Sequence, residues 1–239
     1  MFSMIKNRFS ARLPWIALSM LCLSAAPSFA QESPTKRFSG VNDIEFHQRE
    51  YNNSFAGNGF LIEHKGKLYA VTVKHVLFEA KTPEMKNIWL ADDLKQWRIH
   101  PLKNSTDYIQ LGKLINADKN EEINGDILQR DWLVFEVAEN HSSLTPLKIR
   151  QSSLQEGEKL RAIGCSYATR ETCNQDIYKG HFKSYAEHNL RVDIGDTAIA
   201  QLRGLSGSPV VDEKDNLVGI VSNVLPAKGA RGLDFAPLN

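Results

Sequence analysis

Three short segments carry side chains that together could activate a serine hydroxyl for attack on an acyl carbon. His75 follows the residues Ala-Val-Thr-Val-Lys, Asp131 precedes the β-prone run Trp132–Val137, and Ser206 lies in Gly-Leu-Ser-Gly-Ser-Pro. A serine hydroxyl is a weak nucleophile unless a base takes its proton, and that base needs an acid to fix its tautomer. The order His, Asp, Ser, with spacings of 56 and 75 residues, therefore predicts nucleophilic acyl transfer.

Each segment alone has an ordinary structural explanation. A histidine beside an apolar run is more often a hydrogen-bonded structural residue, and an aspartate before a strand is usually a turn or cap residue. A Gly/Ser/Pro turn is also common, although glycine beside a nucleophile lets consecutive N–H groups point into one pocket. The prediction therefore depends on the combination of the three segments.

The elements that must position these residues are predicted to be strands. Two hairpins are indicated by β-rich runs on either side of turn residues, Asn58–Glu63 with Leu68–Val73 and Pro209–Val211 with Leu217–Ser222. Further strands are predicted at Tyr108–Ile115, Trp132–Val137, Lys159–Gly164, Ile177–Tyr185 and Leu190–Ile194. Residues 80–125 are polar and irregular, which favours long loops around short strands. Many short strands without strand–helix alternation predict an all-β protein built from barrels or sandwiches.

Linker composition at Glu139–Pro146 divides the chain beyond its leader into two halves. We expect a leader at residues 1–30, an N-terminal segment at residues 31–54, a first β-domain at residues 55–140, and a linker with a second β-domain at residues 141–239. His75 and Asp131 belong to the first half and Ser206 to the second. This division predicts a site in a cleft between the two halves.

The first thirty residues have the pattern of a secretory signal peptide. Lys6, Arg8 and Arg12 precede the apolar run Leu13–Ala26, and small residues follow it up to a cleavage site after Ala30. The run is short for a bilayer-spanning helix, so a retained membrane anchor is the less favoured alternative. We expect an exported protein, periplasmic or secreted, with no membrane association after cleavage.

Removal of the leader would leave an even pair of cysteines, Cys165 and Cys173. Because an exported chain meets an oxidising compartment, we expect a disulfide between them, with two free thiols as the alternative. Such a bridge closes a short loop and would contribute about 2.5 kcal/mol in the chain-entropy model.

The charge balance argues against a polyanion-binding function. The 29 basic and 28 acidic residues give a formal net charge of +1, and the sequence pI is about 7.7. A nucleic-acid partner is therefore not expected. No Cys-x-x-Cys or His-Glu-x-x-His motif occurs in the sequence, and we predict neither a metal nor an organic cofactor.

The order of the three residues, with Val-Thr-Val-Lys-His, Asp-Trp-Leu-Val and Gly-Leu-Ser-Gly-Ser-Pro, resembles the chymotrypsin/trypsin-like serine proteases. The residues from Gly204 to Pro237 resemble the bacterial HtrA-like branch. The likeness covers residues 55–239 and implies a chymotrypsin-like double barrel, two six-stranded antiparallel β-barrels. It leaves no room after it for the PDZ domain usual in that branch, so we expect a stand-alone protease domain.

The resemblance implies a role for each matching residue. Ser206 matches the nucleophile, His75 the general base and acid, and Asp131 the residue that orients His75. The backbone N–H groups of Gly204 and Ser206 would form the oxyanion hole. Asp126 also resembles the family's Asp-Ile-Ala run and is an alternative acid, but polar residues soon interrupt its apolar pattern, and we favour Asp131.

Substrate contacts are implied by the same resemblance. Ser222 matches the serine that supports the catalytic acid, and substrate would pair as an added strand along Ser222, Asn223 and Val224. The pocket for the residue before the cleaved bond would be walled by Ile199, Ala200, Gln201 and Val221. No acid occupies the position at which trypsin selects basic residues, so a small or medium apolar preference is predicted.

Three features depart from the family pattern. Leu205 replaces the acid before the nucleophile in digestive enzymes, and no Ile-Val-Gly-Gly sequence follows the leader, so activation by a newly cut N-terminus is not expected. Ser208 stands where the family usually has glycine. The 56-residue gap between His75 and Asp131 implies an elaborated loop region near the cleft.

The function predicted from the sequence is a serine endopeptidase that acts on proteins or peptides. A catalytically silent fold of the same kind, used as a protein-binding module, is the alternative. An α/β esterase is disfavoured because Gly-Leu-Ser-Gly-Ser lacks the second glycine of Gly-x-Ser-x-Gly. The sequence predicts no particular oligomeric state.

Overall fold

The computed structural model describes residues 36–90, 92–195, 197–226 and 233–239. Fifteen strands occur among these residues. The strands of the first half are β1 (Gly40–Phe46), β2 (Asn58–His64), β3 (Lys67–Thr72), β4 (Asn87–Ile88), β5 (Leu94–His100), β6 (Ile109–Leu114), β7 (Asp118–Glu122) and β8 (Leu133–Asn140). Those of the second half are β9 (Lys148–Ile149), β10 (Lys159–Gly164), β11 (Asp176–Ala186), β12 (Asn189–Asp193), β13 (Pro209–Val211), β14 (Asn216–Pro226) and β15 (Leu233–Leu238).

The N-terminal barrel is a closed antiparallel sheet in the order β1-β2-β3-β8-β6-β5. The predicted hairpin forms β2 and β3, and its turn places Lys65 and Gly66 at positive φ. The barrel begins at Gly40, ahead of the boundary expected at residue 55, because β1 pairs with both β2 and β5. The region expected to be mainly loops also contributes β5 and β6 to the barrel wall.

A two-stranded sheet of β4 and β7 lies outside the barrel, within the insertion between His75 and Asp131. Five short 3₁₀ helices are also present among the described residues: Arg49–Tyr51, Lys74–Phe78, Gly125–Arg130, Tyr167–Thr169 and Ile199–Leu202. None of the described helices is long and apolar enough to cross a membrane.

The C-terminal barrel has the order β13-β10-β11-β12-β15-β14 and is closed by pairing of β13 with β14. The short strand β9 adds to the outside of this ring, parallel to β14. The second predicted hairpin forms β13 and β14, whose turn is held by the Asp212 carboxylate, which accepts from the N–H groups of Lys214 and Asn216. The predicted all-β double barrel is thus confirmed.

The connection between the barrels is hydrogen-bonded to both of them. The N–H of Leu147 donates to Leu61 in β2, and its carbonyl accepts from Glu63. Three residues later the N–H of Arg150 donates to Leu217 in β14. The apolar core of the first barrel also continues into the second, with Phe60, Ile99 and Phe135 in the same cluster as Ile220 and Leu238. The predicted signal peptide, residues 1–30, lies outside the described residues.

Candidate active site

The cleft between the barrels brings together residues from three separate elements. His75 lies in the 3₁₀ helix Lys74–Phe78 directly after β3, and Asp131 ends the 3₁₀ helix Gly125–Arg130 just before β8. Ser206 lies in the turn before β13 of the second barrel. Because β3 pairs with β8, the ends of these two strands hold His75 and Asp131 side by side.

The His75 imidazole contacts both other residues. Its Nδ1 lies 2.5 Å from Asp131 Oδ2, and its Nε2 lies 2.6 Å from Ser206 Oγ. A neutral imidazole with its proton on Nδ1 donates to Asp131 and accepts the Ser206 hydroxyl proton at Nε2. One imidazole therefore bridges a carboxylate and a serine hydroxyl, the contacts that activation of a serine requires.

Asp131 is fully buried, and its carboxylate accepts three hydrogen bonds. Besides His75 Nδ1, the donors are the His75 backbone N–H, at 2.9 Å from Oδ1, and the Ser222 hydroxyl, at 2.5 Å from Oδ2. These bonds satisfy a charge that would otherwise be costly to bury. The alternative acid, Asp126, is exposed at the start of its 3₁₀ helix, where its backbone N–H donates to the side-chain oxygen of the N-cap residue Asn124.

The turn that carries Ser206 depends on glycine at two positions. Gly204 has a φ of +90°, and a Cβ there would lie 2.7 Å from the Tyr167 nitrogen. Gly207 has a φ of +81°, and its Cβ would lie 2.0 Å from the Asn58 carbonyl oxygen. Only glycine fits both the backbone conformation and the space.

The N–H groups of Gly204 and Ser206 make no hydrogen bond to another described residue. The Gly204 N–H belongs to the same peptide group as the Arg203 carbonyl, and this carbonyl accepts a hydrogen bond from Tyr167 N–H at 2.8 Å. In the same way, the Ser206 N–H shares a peptide group with the Leu205 carbonyl, which accepts a hydrogen bond from Ser208 N–H at 2.9 Å. Because a trans peptide points its N–H away from its carbonyl, both N–H groups are directed away from Tyr167 N–H and Ser208 N–H, and neither has a partner among the described residues.

The two residues of this turn that depart from the family pattern, Leu205 and Ser208, are both buried. Leu205 is completely buried and packs in the core of the second barrel with Val210 and Val221. Ser208 is also fully buried, and its hydroxyl has no hydrogen-bond partner among the described residues. A Cβ on Gly164 would lie 2.1 Å from that hydroxyl, so the serine occupies space that glycine at residue 164 leaves open.

Three aromatic side chains lie near His75 and the turn of Ser206, and the sequence interpretation did not single them out. The Phe78 ring is 6.4 Å from the His75 ring, and the rings of Phe55 and Tyr167 meet edge to face at 4.9 Å. Burial, and also the charge of Glu79, raises the pKa of Tyr167, which keeps its hydroxyl neutral. Phe78 and Tyr167 are exposed and offer apolar surface near His75 and Ser206.

The residues expected to contact substrate lie on β14 and on the 3₁₀ helix Ile199–Leu202. On one side of β14, β13 pairs only as far as Ile220, and β15 pairs on the other side up to Pro226. The backbone at Ser222, Asn223 and Val224 is therefore not paired with a described strand on the β13 side. Val221 is buried, Val224 is 38% exposed, and Ala200 and Gln201 are exposed; the side chain of Ile199 lies outside the description.

The predicted disulfide between Cys165 and Cys173 is present, with an S–S distance of 2.01 Å. Both sulfurs are buried against Val41, Phe55 and Leu102. The bridge closes the loop between β10 and β11, which includes Tyr167. It therefore constrains Tyr167, whose N–H holds the Arg203 carbonyl in the turn that carries Ser206.

No group of three or more His, Cys, Asp or Glu side chains within the described part of the chain is arranged to hold a metal ion. The reactive groups brought together are an imidazole, a buried carboxylate, a hydroxyl and two backbone donors. This set is suited to acyl transfer through a serine ester.

The two barrels and the His-Asp-Ser cluster in their cleft define a chymotrypsin-like fold. The chain belongs to the family of the trypsin-like peptidase domain, whose model matches residues 57–220. A solved structure of similar fold is the serine endoprotease from Yersinia pestis, which is 19% identical with a TM-score of 0.51. The match covers 85% of this chain and 59% of that one, so the chain spans about three fifths of that protein. No curated protein matches the chain.

Proposed function

We propose that the protein is an exported serine endopeptidase that hydrolyses peptide bonds through an acyl-enzyme. The observation that carries the proposal is the His75 imidazole, hydrogen-bonded at once to the buried Asp131 and to Ser206. A histidine held in this way can move a proton between Ser206 and the substrate without changing its place.

The reaction begins when Ser206 Oγ attacks the carbonyl carbon and its proton passes to His75 Nε2. The carbonyl oxygen becomes an oxyanion, which the N–H groups of Gly204 and Ser206 bind. When this intermediate collapses, the C–N bond breaks and His75 gives its proton to the leaving amine. Water then attacks the ester with His75 as base, and release of the acid returns the proton to Ser206.

Substrate backbone binds as an added strand along Ser222, Asn223 and Val224, where one side of β14 is free of described strands. The residue before the cleaved bond enters a pocket beside Val221 and the helix Ile199–Leu202. Because none of the residues proposed to wall this pocket is acidic, we propose a preference for a small or medium apolar side chain. Strong selection of Lys, Arg or Glu in a peptide library would contradict it.

Export is supported by the leader pattern at residues 1–30 and by the disulfide, which forms in oxidising compartments. We place the mature protein in the periplasm or outside the cell, beginning at Gln31. Intact mass of protein recovered from expressing cells tests this: a chain that still carries Met1 and the leader would contradict it. The proposed chemistry needs no cofactor and acts on protein or peptide substrates.

The decisive experiment is labelling of the purified mature protein with a fluorophosphonate. Ser206 Oγ would displace fluoride from phosphorus, forming a P–O bond as the P–F bond breaks, and intact mass would show one adduct. We expect no adduct on Ser206→Ala or His75→Ala and cleavage of casein by the wild type alone. A folded wild type that neither reacts nor cleaves would overturn the proposal and favour a protein-binding module.

A further inference from the structure

Asn58 lies at the start of β2 in the N-terminal barrel, yet every hydrogen bond of its side chain crosses to the other barrel. Its Nδ2 donates to the carbonyls of Gly204, at 2.7 Å, and Cys165, at 3.0 Å. Its Oδ1 accepts from the Cys165 N–H at 2.9 Å. The residue is 1% exposed, so these bonds form without competition from water.

The backbone of Asn58 is fixed as firmly as its side chain. Its N–H donates to the Ser206 carbonyl at 2.7 Å. Its carbonyl accepts from Asn42 Nδ2 and from Thr72 Oγ1, both at 2.7 Å. Asn58 is therefore a rigid part of its own barrel from which an amide group extends to the turn of the nucleophile.

Three consecutive peptide planes link Arg203 to Ser206, and one hydrogen bond holds the carbonyl of each. Tyr167 N–H holds the first plane and Ser208 N–H the third, and these two planes carry the free N–H groups. The middle plane is held at its Gly204 carbonyl by Asn58 Nδ2 at 2.7 Å and at its Leu205 N–H by the Leu202 carbonyl at 3.0 Å, so Asn58 makes the only one of its two bonds that comes from the other barrel. The orientation of the middle plane sets ψ of Gly204 and φ of Leu205, the torsions that join it to the two planes with the free N–H groups.

The other anchor of the Asn58 amide is the disulfide-closed loop. Cys165 exchanges hydrogen bonds with Asn58 and is bridged to Cys173, while Tyr167, two residues on, holds the Arg203 carbonyl. Two of the three planes are thus held, directly or through Asn58, by this loop. A carboxylate at residue 58 would face two carbonyl oxygens with no proton to donate, so only the amide fits.

We propose that Asn58 is a positioning residue that orients the oxyanion-binding N–H groups of Gly204 and Ser206 by fixing the peptide between Gly204 and Leu205. The inference rests on the proposed function. It adds to the triad a buried amide that reaches from the barrel of the base to the barrel of the nucleophile.

The test compares Asn58→Ala and the isosteric Asn58→Asp with a matched control, Asn42→Ala. Asn42 is equally buried, and its amide donates only within the N-terminal barrel, to Ala56, Asn58 and Thr72. Its removal leaves the Asn58 carbonyl bonded to Thr72. Kinetics on a peptide ester and inhibition by a peptidyl trifluoromethyl ketone, which forms an oxyanion on Ser206, are measured on the folded fraction.

We expect both Asn58 variants to lose about 100-fold in kcat, with KM within about threefold and inhibitor affinity lowered as much as kcat. The control, Asn42→Ala, should keep kcat within about threefold of the wild type even if its Tm falls as far as that of the Asn58 variants. Wild-type kcat in a folded Asn58 variant, or equal losses in the control, would overturn the inference.

A second measurement is independent of activity. Amide hydrogen exchange across residues 203–208 should accelerate in Asn58→Ala and not in Asn42→Ala, because only the first change removes one of the two hydrogen bonds that hold the middle plane. Unchanged exchange in Asn58→Ala would also overturn the inference. An inactive, unlabelled wild type would instead refute the proposed function, and the exchange result would still decide the role of Asn58.

Discussion

The ammonium group of Lys74 lies 2.6 and 2.8 Å from the two carboxylate oxygens of Glu121. Lys74 directly precedes His75 and its side chain is 5% exposed, whereas that of Glu121, on β7, is 28% exposed. The pair therefore ties the β4–β7 sheet to the 3₁₀ helix that carries the proposed base. A buried lysine depends on such a partner, because water cannot replace it.

Removal of Glu121 should lower the free energy of unfolding more than removal of Lys74. Glu121→Gln leaves a buried ammonium with no counter-charge, and we expect the free energy of unfolding to fall by about 2 kcal/mol. Lys74→Met, which fills similar space and leaves the more exposed carboxylate, should cost less than half as much. Urea denaturation measures both, with Glu122→Gln, an exposed carboxylate of the same strand, as control. Equal losses in the two variants would show that the ion pair is not what the lysine requires.

Asp131→Asn should lower kcat by about three to four powers of ten while leaving the fold intact. The amide cannot accept the Nδ1 proton with the same strength and favours the wrong tautomer of His75. Steady-state hydrolysis of a peptide ester measures the loss. Asp126→Asn is the matched control, and it should retain wild-type kcat. A large loss in that variant instead would assign the acid role to Asp126.

Ser222→Ala removes one of the three donors to the Asp131 carboxylate. A hydrogen bond to a charged group contributes about 1.5 kcal/mol or more, so we expect kcat to fall about tenfold with KM nearly unchanged. Ser222→Thr keeps the hydroxyl and should restore most of the activity. If the threonine variant were as slow as the alanine variant, packing rather than the hydrogen bond would explain the effect.

Ser208→Ala should raise the free energy of unfolding by about 1 kcal/mol, because it removes a buried hydroxyl that has no partner. Thermal and urea denaturation of the two proteins measure the change. Ser143→Ala, at an exposed hydroxyl that bonds Asp107, is a suitable comparison and should not stabilise. A destabilised Ser208→Ala would mean that the hydroxyl is used.

His100 gives stability a dependence on pH. Burial lowers its pKa, but the contacts with Asp43 and the Pro101 carbonyl outweigh this, and its pKa is raised above the ordinary 6.5. Because the folded state holds the proton more tightly, the stabilisation is fully present below pH 6.5 and is lost as the pH rises through the raised pKa. Asp43→Asn should therefore cost more stability at pH 5.5 than at pH 8.5. A cost that grows with pH would contradict this sign.

Much of the fold was predictable because the hairpins show local signals. Turn residues between alternating apolar runs defined β2 with β3 and β13 with β14 without any distant contact. Strand β1 was not predicted because Asn42 occupies one of its inward positions. That asparagine resembles a turn residue in the sequence, and the barrel tolerates it because Trp97 donates to its oxygen while its amide nitrogen donates to Ala56, Asn58 and Thr72.

The candidate site divides in the same way. His75, Asp131 and Ser206 could be proposed from their chemical types and flanking residues. Asn58 and Lys74 could not, because their significance depends on partners 146 and 47 residues away in the chain. The only signal in the sequence was a polar residue at the end of an otherwise apolar strand, and such a residue does not indicate which distant group it binds.

The connection between the barrels makes each of them dependent on the other for its stability. Leu147 bonds to β2 in both directions and Arg150 bonds to β14, so neither barrel can open along this line without exposing backbone groups of the other. The shared apolar cluster adds to the dependence. The described region should therefore melt in one calorimetric transition, with equal van't Hoff and calorimetric enthalpies. It follows that either half, expressed alone as a fragment, would not hold a native barrel.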